Sequence, residues 1–213
     1  MAGVVPGGAD LQRMIDQAEV CNVRRRWAFC RDQGDWGGLR DCFHPDATIT
    51  VAWYAGDAAG FIARSMAMAK NRRPQEHHKH WLGNMRAEVA GERAVLETDA
   101  MVLIREYIED HLFDYCSYLR FYDLVEKRAG AWRLLKASCI YEKDRLDPVV
   151  PGAVPDSFYD SVAFGGSDSG FAYMRFRQIK KGRAVPAGIV LAGSAAEAGL
   201  RRAAHAWLRR SAD

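Results

Sequence analysis

The chain has 213 residues, 49% hydrophobic and 27% charged, enough for one domain plus an extension around a buried core. Its net charge of +3 is mixed along the sequence, which excludes the strongly basic face of a nucleic-acid binder, and no window reaches the roughly 18 apolar residues of a membrane span. The five widely spaced cysteines form no C-x-x-C, which argues against a disulfide framework or structural zinc; with no basic, apolar leader in residues 1–8, the expected compartment is reducing cytoplasm.

Asp10 reads as a helix N-cap, and Leu11, Met14, Ile15, Ala18 and Cys21 recur at helical spacing, predicting a helix over 11–31 that Gly34 ends. Asp35 can cap a short second helix through Trp36, Leu39 and Phe43. His44-Pro45-Asp46 reads as a turn, residues 48–54 as a strand, and 61–70 as a helix. Four strands follow, over 78–89, 94–107, 114–126 and 131–143, joined by short turns, so the sheet is expected to be largely antiparallel. Helices followed by consecutive strands make an α+β fold, with helices on one face of a curved sheet. Prolines 148, 151 and 155 mark a linker, 165–170 a glycine-rich loop, and 172–179 a strand or short helix. Ser194 and Glu197 form a capping box for a closing helix whose apolar stripe is Leu200, Ala203, Ala204, Trp207 and Leu208. The chain is thus divided at 147/148 into a main domain, 10–147, and a C-terminal extension, 148–213, that serves as lid or oligomer contact.

Two segments carry chemistry. Asp32 lies at the end of the first helix, and His80 enters the first long strand within Glu76-His77-His78-Lys79-His80-Trp81-Leu82-Gly83-Asn84. A carboxylate bonded to one imidazole nitrogen fixes the tautomer and makes the other nitrogen a general base near neutral pH. Strand alternation puts His80, Leu82 and Asn84 on one face. Trp53 and Tyr54 at a strand end, Tyr115 and Ser117 on a later strand, and Tyr141 on the last are candidates for the lining of an apolar pocket with a few hydroxyls, suited to an aromatic or alicyclic substrate. His78 joins them as a neighbour of His80. Chelation by His77, His78 and His80 is the rival use, but no matching glutamate or later histidine strand follows, so no metal is expected. The absence of G-x-S-x-G, GxGxxG and Walker patterns leaves no serine nucleophile elbow and no nucleotide cofactor.

The runs Cys30-Arg31-Asp32-Gln33-Gly34-Asp35-Trp36, Cys42-Phe43-His44-Pro45-Asp46-Ala47, Lys79-His80-Trp81-Leu82-Gly83-Asn84 and Arg120-Phe121-Tyr122-Asp123-Leu124-Val125, in this order over about residues 10–147, resemble the SnoaL-like branch of the nuclear transport factor 2 (NTF2-like) superfamily. The resemblance implies a cone-shaped barrel wrapped around a long N-terminal helix, and a homodimer or homotrimer. It also implies, from members such as scytalone dehydratase, hexachlorocyclohexane dehydrochlorinase and bile-acid 7α-dehydratase, a cofactor-free lyase with an Asp–His dyad at Asp32 and His80. Arg31 replaces the tyrosine that precedes the aspartate in scytalone dehydratase. The extension resembles those of lignin-dimer lyases that release formaldehyde from diarylpropane diols, which implies a role in aromatic catabolism. A ketosteroid-isomerase-like isomerase and a non-catalytic binding or assembly module are the alternatives.

Overall fold

The computed structural model describes residues 7–162 and 170–210; the glycines at 165 and 166 lie outside them. Helix α1 spans Gly8–Gln33 and α2 Trp36–Asp41. Strands β1 (Phe43–Val51) and β2 (Tyr54–Asp57) form a hairpin, followed by α3 (Ala58–Lys70). The long strands are β3 (His77–Ala90), β4 (Arg93–Ile108), β5 (His111–Arg128) and β6 (Ala131–Pro148). The extension adds a 3-10 turn (Asp156–Tyr159), α4 (Ala172–Lys180), the two-residue β7 (Val190–Leu191) and α5 (Ala195–Arg209).

The sheet order is β2-β1-β6-β5-β4-β3. The hairpin pairs are antiparallel as expected, but β1 and β7 both pair with β6 in parallel, so the sheet is mixed. β2 and β3 remain at opposite edges, and the curved sheet wraps α1 as a cone without closing into a barrel.

Several boundaries correct the sequence reading. Gly7 is the N-cap of α1, without a side-chain bond, and Asp10 lies within the first turn, ion-paired to Arg13. Residues 44–46 belong to β1, because the His44 ring is buried and Nε2 donates to the Glu126 carbonyl at 2.8 Å. Trp53 sits in the β1–β2 turn and Tyr54 opens β2. Residues 172–179 are helical. Asp35 does cap α2, accepting from the Gly38 amide, and Ser194 caps α5; Glu197 reaches back to the Gly193 amide.

The largest correction concerns the face that α1 buries. Leu11, Met14 and Ile15 are exposed, whereas Asp16, Val20, Val23, Arg24, Trp27 and Arg31 are buried. Charges enter because each of the first two finds a partner. Asp16 accepts from Lys127 and the Trp132 indole, and Arg24 makes a two-pronged ion pair with Asp123, both side chains 0% exposed. The stripe of α5 packs on the opposite, outer face of the sheet, against Val95, Tyr122 and Ile140.

Candidate active site

Gly34, at φ 75°, ends α1 one turn after Cys30 and leaves Asp32 in the last turn, facing β3. Alternation on β3 turns His78 and His80 inward together, their ring centroids 6.0 Å apart. Asp32 grips His80 twice: Oδ1 lies 2.6 Å from Nδ1, and Oδ2 accepts the His80 backbone amide at 2.9 Å. The Asp32 side chain is only 4% exposed. With the proton on Nδ1 donated to the carboxylate, Nε2 is the nitrogen left for the cavity that His80 lines. Burial drives the His80 pKa below its usual value, and Asp32 opposes that shift. Burial raises the Asp32 carboxyl, but the hydrogen bond and charge of His80 outweigh it and hold Asp32 below the usual carboxylate range. The resting pair is therefore a carboxylate and a neutral imidazole.

The cavity measures about 610 Å³, within the range of small-molecule sites. Its floor is apolar and aromatic: Trp27, Trp53, Phe61, Leu119 and Phe121. Trp53 stacks on Phe61 at 5.2 Å, and Trp27 meets the His80 ring edge-on at 5.1 Å. The rim is charged. Helix α4 of the same chain covers one side with Met174, Arg177 and Gln178, and is tethered there by Glu106, which pairs with Arg177 and Lys181.

Of the residues named from sequence, Asp32, His78, His80, Trp53 and Tyr141 come together around this space. Tyr141 lines the cavity and accepts the Ala52 amide proton at 2.7 Å, and its hydroxyl also meets the Cys139 thiol; burial keeps the phenol neutral. Four others do not line the cavity. The pairing of β3 with β4 shifts register between Leu82 and Met85, which turns Asn84 outward to Asp99 and Met85 inward. Tyr54 is buried beside the floor and donates its hydroxyl to the Asp57 carbonyl. Tyr115 is sealed beneath the Arg177 guanidinium, 4.0 Å from its ring, and Ser117 is fully buried with no hydrogen-bond partner among the described residues.

Arg31 and Arg72 were missed as site residues. Arg31 repeats Arg24 and Trp27 at i+7 and i+4 on the buried face of α1, a spacing legible once Trp27 is taken as inward. Arg72 comes from the loop after α3, where no periodicity announces it. Their guanidiniums approach the two ring nitrogens of His78, Arg31 Nη1 at 3.1 Å from Nε2 and Arg72 at Nδ1. Burial and then these two charges push the His78 pKa down to about 3. Asp32, His78 and His80 have ligand atoms within 4.8 Å of one another, a spacing that could hold a metal ion. The two guanidiniums beside His78 work against a cation there.

A family profile described as "SnoaL-like domain" matches residues 12–137. The "Pea pathogenicity protein 2" of Fusarium vanettenii is 27% identical over 166 residues, covering 77% of this chain and 70% of that protein. Among solved structures, a protein of Novosphingobium aromaticivorans provisionally assigned as a scytalone dehydratase superposes with a TM-score of 0.55 at 16% identity, covering 68% of this chain and 95% of that one. A type 2 hexachlorocyclohexane dehydrochlorinase (LinA) gives 0.53 at 18% identity, covering 69% and 98%. At such identities the likeness is one of fold.

Proposed function

The chain belongs to the SnoaL-like domain family, and on that premise we propose that it is a cofactor-free lyase acting on a hydroxylated aromatic or alicyclic compound. The observation that carries the reading is the 2.6 Å contact between Asp32 and His80 inside a cavity with an aromatic floor. His80 Nε2 takes a proton from carbon, the electron pair of that C–H bond becomes the new double bond, and the C–O bond breaks toward a leaving hydroxyl. Tyr141 donates a hydrogen bond to the departing oxygen, and the proton held by His80 returns to it as water leaves. Asp32 stabilises the imidazolium between the two transfers. Two of the proteins that share this fold carry names that denote eliminations, a dehydratase and a dehydrochlorinase, so the fold accommodates the class of reaction proposed here. A substrate with a neighbouring hydroxymethyl group extends the scheme, since loss of a benzylic hydroxyl creates an electron-accepting centre into which C–C cleavage can release formaldehyde.

The test is product analysis by mass spectrometry on aryl-substituted alcohols and diols. The reading expects loss of water, or of water and formaldehyde. It expects rates reduced on the order of a hundredfold or more in His80→Ala and Asp32→Asn. A product of unchanged mass would assign an isomerase instead, and undiminished turnover in both variants would remove the dyad.

A further inference from the structure

We propose that Arg31 and Arg72 form a subsite for an anionic oxygen substituent of the substrate, a carboxylate or phenolate, beside His80. The inference rests on the cavity being the substrate site proposed above, and it concerns what that substrate carries.

The argument begins with proton counting on His78. A neutral imidazole has one N–H donor and one acceptor nitrogen, yet both ring nitrogens of His78 face a guanidinium. Nε2 also lies 3.4 Å from the Arg31 carbonyl and 3.5 Å from Asp32 Oδ1, two acceptors, so the ring proton belongs on Nε2. Nδ1 is then the acceptor for Arg72. That leaves the Nη1 donor of Arg31 facing another donor.

Arg31 is 7% exposed and has no carboxylate within 4 Å among the described residues; Arg72 has none either. The other buried arginines of this chain, Arg24 and Arg177, each hold an acid. The one acid whose charge acts on buried Arg31 is Asp32, which is already bonded to His80, so the guanidinium lacks an acid of its own, a costly state; Arg72 is half-buried, and both line the cavity. His78 separates them as a neutral spacer, and its ring centroid is 6.0 Å from that of His80. An anionic group seated across Arg31 and Arg72 therefore presents a carbon a few bonds away to His80 Nε2. Burial brings the Arg31 pKa down to about 10, which leaves it charged at neutral pH.

The experiment is a binding titration by ligand-observed NMR at pH 7, using 2-naphthoate and its neutral isostere 2-naphthamide. The naphthoate is expected to bind at least about tenfold more tightly, as charge-assisted hydrogen bonds require. In Arg31→Gln and in Arg72→Gln the preference falls to within a few-fold, while naphthamide binding persists and shows the cavity intact. Arg72 lies in a loop, so its replacement spares the fold. Arg105→Gln, which removes a rim arginine already paired with Asp114, keeps the preference. Equal affinity of the two probes, no saturable naphthoate binding, or an undiminished preference in both arginine variants overturns the subsite. His80→Gln separates this outcome from the lyase reading: the anion preference survives there because the imidazole carries no charge at pH 7, and only turnover is lost.

Discussion

His80 owes its proposed role to a single acid, and that acid also sets the pH at which the role is available. Burial alone would keep the imidazole neutral but make it a feeble base; Asp32 restores part of the lost basicity. The acidic limb of kcat/KM is therefore expected below pH 6.5, the ordinary histidine value. In Asp32→Asn the opposing charge is gone. The limb should move to lower pH even as the plateau falls on the order of a hundredfold. A pH–rate profile from pH 4.5 to 8 checks this, and a limb that stays or moves upward contradicts it. Asp32 and His80 were legible in the sequence because their types and neighbours carry chemistry at any spacing. Arg31 was not, because likeness to a relative marks it only as the place of an absent tyrosine, while its position on the inner face of α1 shows only once that face is known.

At the scale of elements, alternation and helical periodicity located every long strand and the helices of the main domain, left 172–179 open between strand and helix, and assigned two faces wrongly. On β3 the pleat holds for His78, His80 and Leu82, and then the register shift before Met85 hands the inward position to the next residue. No composition signal marks such a shift. On α1 the apolar count favoured Leu11, Met14 and Ile15, whereas the cone buries Arg24 and Asp16 because acids and bases on β5 wait for them. Pairing with a distant strand is invisible to a local window. The same logic fixes α4 over the cavity. Burial works against the Glu106 charge, but Arg177 and Lys181 hold it ionised. Glu106→Gln leaves the fully enclosed Arg177 without its acid, a loss of about 3–5 kcal/mol for a buried pair. Hydrogen exchange of the α4 amides, residues 172–180, should accelerate on the order of a hundredfold or more while those of β5 hold. Unchanged α4 exchange would mean that Phe171, Met174 and Phe176, all buried, suffice to seat it.

Across the whole molecule, folding encloses two imidazoles in a site rimmed by guanidiniums, and acid is where this arrangement weakens. An unfolded histidine titrates near 6.5. In the folded chain burial and Arg31 and Arg72 push His78 down to about 3, and burial lowers His80 as well. Between about pH 3 and 6.5 the unfolded state binds a proton at His78 that the folded state refuses, so stability falls as the pH drops through that window. For His78 alone the loss reaches about 2 kcal/mol by pH 5, from 1.5 units below 6.5 at 1.36 kcal/mol each. Asp32 and Glu106, whose folded values are depressed, contribute stability that is lost only below their unfolded values near 4, so they do not mask the histidine window. Urea unfolding at pH 7, 6 and 5 should show the midpoint falling steadily, and His78→Asn should flatten the slope by about one proton. A midpoint independent of pH over that range would mean that His78 is protonated in the folded chain. The two guanidiniums would then have to stand aside from it, and with them the crowding that sets Arg31 free for an anion.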